Sequence, residues 1–411
     1  MRVQTLEGNL IELQKDSEQE HQRIAELEAA LQEAQSVSSK PLSDPSFQSA
    51  ITPESAQALA TASEEVLQKY FEKKKAEGTK TNREDAVAAR HIGALAFLHD
   101  TQKALRFYRE ATELDPDNPA GWNEFGYLLR RVGDLSGAER AYGRVLRLGN
   151  SIADKSVEAI AYGNLGVLYK TRGDLDKAEE FYKKSLALNE QLGRKEGLAS
   201  SYGNLGNLYQ THGDLNKAEE FYKKSLALNE QLGRKEGVAN QYGNLGVLYK
   251  TRGDLDKAGE FYKKSLALNK QLGDKEGMAN QYGNLGNLRL ARGDLDRAEE
   301  FYKTSLTINE QLGRKEGMAN QYGNLGGLHL TRGDLDKAEE FVRKSLAINE
   351  QLGRKEGMAR DYGNLGGLYE KRGDKGKACE YWAKSRRLFL ELGNRTQADQ
   401  IEGWMREAGC S

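Results

Sequence analysis

Cysteine is nearly absent. Cys379 and Cys410 are the only two in 411 residues, far apart in sequence and without a Cys-x-x-Cys pair. A cysteine zinc ribbon and a disulfide-rich framework are thereby excluded, and the two residues read as reduced thiols of a cytoplasmic protein. Histidine is sparse as well. His21, His91, His99, His212 and His329 show no ligand spacing with a cysteine or a carboxylate motif, so no metal site is expected. Charge of one sign is missing: 61 basic residues face 62 acidic ones, a net charge of −1. That balance removes the usual electrostatic reason to expect nucleic acid or an anionic membrane as partner. Met1 to Leu13 contains Glu7 and Glu12 and no apolar run, so neither a signal peptide nor membrane insertion is expected. Apolar residues make up only 38% of the chain and charged residues 30%. One large globular core would want more, whereas a solenoid tolerates less because each repeat touches only its neighbours.

What the chain does have is repetition. Blocks beginning at residues 161, 201, 241, 281, 321 and 361 share one 40-residue pattern. Ala161–Ser200 and Ser201–Asn240 differ at seven positions and agree at 33, the mark of recent internal duplication. Each block reads as two helices. Tyr162, Leu165, Gly166 and Tyr169 fall at i, i+3, i+4 and i+7, one apolar stripe at helical spacing. Gly173 stops that helix and Asp174 caps the next. Leu175, Ala178, Tyr182, Ser185 and Leu186 form the inward stripe of the second helix, and Gly193 ends it. Its outer face carries Glu179 before Lys183 and Glu180 before Lys184, so the acid pair Glu179-Glu180 reads as solvated surface.

The run Tyr162, Leu165-Gly166, Tyr169, Gly173, Ala178, Tyr182 resembles the tetratricopeptide repeat signature. The 40-residue period with Gly163-Asn164-Leu165-Gly166 is similar to the longer variant of Leu-Gly-Asn-repeat polarity scaffolds and kinesin light chains. Trp122, Phe125-Gly126, Leu129, Gly133-Asp134, Ala138 and Tyr142 fit the same template. Ala104, Tyr108, Ala111 and Pro116 fit its second half, after a first half that is one residue short. The resemblance implies an all-α, right-handed superhelical solenoid of antiparallel helix pairs, with about eight repeats over 83–393, the first degenerate. A short N-terminal coiled-coil-like helix precedes it. Leu6, Leu10, Leu13, Ile24, Leu27, Leu31 and Ala34 give 1–35 an imperfect heptad seam that could form a homodimer, or else a lone frayed helix. Residues 36–52 read as a linker, 53–82 as a helix and a break, and 394–411 as a capping helix begun by Asn394.

No constellation of catalytic residues can be assembled, and no cofactor is expected. Gly163-x-x-Gly166 lies within a helix rather than after a strand, which makes it a close-packing device and not a phosphate loop. A second stripe runs along the first helix of each block. Asn164, Asn204, Asn244, Asn284, Asn324 and Asn364 form a ladder, thickened by Asn207 and Asn287 and by Asn240, Asn280 and Asn320. In proteins that the chain resembles, the first helices line the concave surface, and groove asparagines there hold extended peptides. An asparagine amide both donates and accepts, so it pairs with peptide backbone irrespective of sequence. The same asparagines could instead only bond neighbouring helices. Repeats diverge most along this stripe, as at Val167, Asn207, Val247, Asn287, Gly327 and Gly367. The expectation is therefore a non-enzymatic cytoplasmic adaptor holding an extended segment of a protein partner. The alternatives are a self-assembling structural scaffold and a regulatory subunit of a signalling complex.

Overall fold

The structure is a computed structural model, and it describes residues 82–96 and 101–410. The coiled-coil seam in 1–35, the homodimer built on it, the linker 36–52 and almost all of 53–82 lie outside the described residues. Eight antiparallel helix pairs follow one another, closed by a single helix. The pairs are α1 (Asn82–Ala96) with α2 (Thr101–Leu114), α3 (Pro119–Arg131) with α4 (Leu135–Ser151), and α5 (Lys155–Thr171) with α6 (Leu175–Gln191). Next come α7 (Lys195–His212) with α8 (Leu215–Gln231), α9 (Lys235–Thr251) with α10 (Leu255–Leu272), and α11 (Lys275–Ala291) with α12 (Leu295–Gln311). Then follow α13 (Lys315–Arg332) with α14 (Leu335–Gln351), α15 (Lys355–Lys371) with α16 (Lys375–Glu391), and the last helix α17 (Arg395–Glu407).

The stops lie where the sequence puts them. Gly173 takes φ +78°, open only to glycine without strain, and Asp174 caps α6 by accepting from the Lys177 backbone N–H at 3.2 Å. Within six of the eight pairs a tyrosine of the second helix lies on a glycine of the first, and Val342 and Trp382 take its place over Gly326 and Gly366. A Cβ on Gly166, Gly206 or Gly246 would stand 2.5 Å from the ring of Tyr182, Tyr222 or Tyr262. These rings are at most 1% exposed. A serine adds a polar pin: Ser185 Oγ donates to the Ala159 carbonyl at 2.8 Å, and the same bond recurs from Ser225, Ser265, Ser305, Ser345 and Ser385. Burying that hydroxyl is tolerable because it is bonded.

Successive pairs are tied by the residue read as solvated surface. Glu219 accepts from Tyr249 of the next repeat at 2.7 Å and also meets Lys223 and Arg252. Glu179 and Glu339 accept likewise from Tyr209 and Tyr369. Burial opposes ionisation of Glu219, but its three partners outweigh it and hold the carboxyl at about 2. Only the second acid of each pair, such as Glu180, is simply exposed, paired with its own Lys184 at 2.6 Å.

Cys379 and Cys410 are not reduced thiols. They form a disulfide across Cα atoms 5.6 Å apart, fastening the chain beyond α17 to α16. The pairing follows from the hairpin: two helices of ordinary length carry the chain out and back, so residues about thirty apart become neighbours. Trp404 of α17 packs near Trp382, ring centroids 6.4 Å apart, beside the same tether.

The solenoid also comes round on itself. Arg131, ending α3, pairs with Glu316 at the start of α13. A Cβ on Gly393 would lie 3.1 Å from the Arg172 carbonyl oxygen. Leu392 is 6% exposed at this seam, whereas the equivalent Leu192 and Leu272, away from it, are 41% and 37% exposed.

Gly206→Ala lowers stability in urea denaturation: the gain of ~1 kcal/mol from replacing a mid-helix glycine is outweighed by an overpacking cost of ~1–3 kcal/mol. Gly327, with nothing within 4 Å of its would-be Cβ, becomes more stable on the same change. Thiol titration of the unfolded, unreduced chain finds none free. Reduction loosens α17 first, by up to roughly 3–4 kcal/mol on the loop-entropy estimate, measured by hydrogen exchange.

Candidate functional site

The first helices of the pairs, from α3 to α15, touch one another in sequence more closely than the second helices do, which puts them on the inside of the curve. Their side chains four residues apart stand on one face and make the inner wall. Asn164, Asn204, Asn244, Asn284, Asn324 and Asn364 are each half-buried there, while Asn240, Asn280 and Asn320 are exposed.

The wall opens into a concavity of about 380 Å³ spanning α11, α13 and α15. Asn280, Asn284, Asn287, Asn320, Asn324 and Asn364 all line it. Asn164, Asn204, Asn207, Asn240 and Asn244 stand on earlier repeats, outside it. Some amides are already engaged. Asn164 donates to Asn123 of the preceding repeat. Asn207 and Asn287 accept from Tyr222 and Tyr302 at 2.7 Å, so they satisfy the inner ends of the core tyrosines. Asn244, Asn284 and Asn324 donate to the glutamine three residues earlier at 3.4, 3.3 and 3.2 Å. Those bonds are long, and each uses only one of the amide's two N–H groups and leaves its oxygen out.

Sequence reasoning missed the column that supports this ladder. Gln241, Gln281 and Gln321 are 7–8% exposed, and Gln281 lies 3.1 Å from where a Cβ of Gly243 would sit. This explains the first glycine of the Gly-Asn-Leu-Gly motif: the next repeat's glutamine lies against it. In the last repeat the same column holds Asp361, 2% exposed. It accepts from Asn349 Nδ2 at 2.7 Å and meets Ser345 Oγ at 2.9 Å. Burial pushes its carboxyl up to about 6, against the pull of those two bonds. The available signal was a lone charge where the repeat demands a buried residue. Among the described residues no group of three His, Cys, Asp or Glu side chains is set to hold a metal ion. No described helix is long and apolar enough to cross a membrane.

Asp361 gives the site a pH signature. Its proton is held more tightly folded than unfolded, so the native state is favoured below pH ~4 and loses that advantage as pH rises toward 6. The full difference is about 3 kcal/mol. Asp361→Gln, restoring the residue of the three preceding repeats, raises the melting temperature at pH 8 and flattens its dependence between pH 4 and 6. An unchanged profile would show that the carboxyl is not buried.

Two family comparisons bear on this architecture. The tetratricopeptide repeat pattern matches residues 119–191, 157–231 and 317–394, and the MalT-like TPR region matches 199–344. No curated protein matches the chain. Among solved structures, a Rap protein complexed with Competence and Sporulation Factor is similar at 14% identity and TM-score 0.51, over 79% of this chain and 98% of that one. The APC/C hetero-tetramer Cut9–Hcn1 is similar at 14% identity and TM-score 0.50, over 91% of this chain and 68% of that one. BtubC (BKLC) from P. vanneervenii shares 26% identity over 54% of this chain and 91% of that one, with a TM-score of 0.42. The chain belongs to the tetratricopeptide repeat family.

Proposed function

We propose that the inner wall holds an extended segment of a partner protein, bound chiefly through its backbone. As a tetratricopeptide repeat protein the chain is a protein-interaction scaffold, and its family is typically non-catalytic. The observation that carries the finer reading is the concavity across α11, α13 and α15. Six asparagines from three consecutive first helices line it. The second helices offer no such run, since their outward faces are filled by lysine–glutamate pairs such as Lys184–Glu180 and Lys224–Glu220. A row of amides repeating along a wall suits a chain whose own amides and carbonyls repeat. Each bond nets only about 0.5–1.5 kcal/mol, while ordering a side chain of the segment costs a similar amount. Binding therefore needs several rungs together, which a ladder supplies and a single repeat does not. A cytoplasmic setting remains part of this reading, and there the Cys379–Cys410 bond would face a reducing pool.

The test uses the intact chain and a peptide selected against it from a random display library. Asn284→Ala, Asn324→Ala and Asn364→Ala, one from each helix lining the concavity, together weaken that peptide by roughly tenfold or more, three bonds at ~0.5–1.5 kcal/mol each, with helicity by circular dichroism unchanged. Equal affinity in the triple variant rules the ladder out as the binding surface.

A further inference from the structure

The seam where the superhelix meets itself encloses a second cavity, of about 160 Å³. On one edge stand Arg130 and Arg131, Gly133 and Thr171. On the other stand Glu316, Arg354, Lys355 and Glu356, with Leu392 and Asn394. Four of these ten residues are cations and two are acids. Lys170 is a fifth cation, close enough to Arg130 and Glu356 to feel both.

The carboxylates do not balance this charge. One of them, Glu316, serves both Arg131 and Arg354. Lys355 takes a carboxylate from outside the cavity, Glu391 at 3.0 Å. Counting Lys170, Glu391, the Glu276–Arg314 pair coupled to Arg131, and Arg360 and Asp361 beside Arg354, seven positive side chains stand near five acidic ones. The crowding is felt by the groups themselves. Burial, then Arg130, lowers the Lys170 ammonium below its ordinary range. Burial, then Arg131 and Arg360, pushes the Arg354 guanidinium down to about 10. Like charges held together at a seam, around a space with room for a ligand, favour an anion between them.

We propose that this seam cavity is a binding site for a small oxyanion of the phosphate class, and that an anion there bolts the superhelical turn shut. Guanidinium forks match tetrahedral oxyanions bidentately, and several oxygens can take donors from both edges at once. A monatomic anion cannot bridge them in that way. The donors come from α3 and α5 on one side and, on the other, from Arg354 at the cap of α15 and Lys355 in its first turn, so occupancy and closure are one event. The site is independent of the asparagine ladder, although closure bounds the space in which the ladder stands.

The experiment is calorimetric titration of the intact, oxidised chain with sodium pyrophosphate, against sodium chloride at matched ionic strength. The expected result is saturable one-to-one binding with a Kd below about 1 mM, absent with chloride, and a melting temperature that rises with occupancy. Lys170→Gln and Arg130→Gln each weaken binding at least about fivefold, as loss of a charge-assisted partner should. Glu356→Gln tightens it, because an opposing carboxylate is gone. The triple asparagine variant binds pyrophosphate as the native chain does, which separates this site from the groove. Absence of saturable binding overturns the proposal, and so does native affinity in both Lys170→Gln and Arg130→Gln. If Arg130→Gln fails to fold, Lys170→Gln and Glu356→Gln still decide, since they must move affinity in opposite directions.

Discussion

The contact on which everything else rests is a tyrosine ring packed closely on a glycine. Tyr182 on Gly166, and its copies along the chain, fix how closely the two helices of a pair approach and at what angle. No other residue could replace that glycine without moving the ring, so a helix-destabilising residue is retained mid-helix at ~1 kcal/mol. The last repeat keeps the rule with a different aromatic, Trp382 over Gly366. Because the pair geometry is the same each time, its small rotation adds up. The sum brings α3 and α5 back to α13, α15 and Gly393, and so turns a row of hairpins into a closed turn with an inner wall.

A second layer of contacts transmits that geometry from pair to pair. The Glu219–Tyr249–Arg252 cluster spans neighbouring repeats on the convex side, while the glutamine column spans them within the wall. On the proposed reading, the ionic ties and the recognition surface thus stand on opposite sides of the solenoid. The ties between repeats use charge outside and neutral amides inside. That division leaves the wall able to offer its asparagines without breaking the stack. Asp361 is where the division lapses: a carboxylate in the amide column, kept by Ser345 and Asn349 at the cost of a raised pKa.

Much of the fold was legible because duplication prints the rule several times. Gly173 and Asp174 declare a stop and a start, and period-3.6 stripes declare two helices. What escaped was contact across a hairpin. Glu179 and Glu180 are the same residue type side by side, yet one receives the Tyr209 hydroxyl 30 residues on and the other only meets its own lysine. Cys379 and Cys410, 31 residues apart, looked remote for the same reason. In a solenoid of helix pairs a separation of about thirty means adjacency, and a reading confined to one helix at a time cannot see it. The asparagine ladder was legible as a stripe. Its engagement with Gln241, Gln281 and Gln321 was not, because what those residues pack against is a glycine of the preceding repeat.

The most direct measurement of the central claim is NMR of the side-chain amides of the intact chain, recorded while a library-selected peptide is added. The account predicts that the Asn244, Asn284 and Asn324 amide signals shift and slow their hydrogen exchange together, with signals of the convex helices α8, α10 and α12 unmoved. Shifts confined to those outer helices, with the asparagine amides silent at saturation, would contradict it.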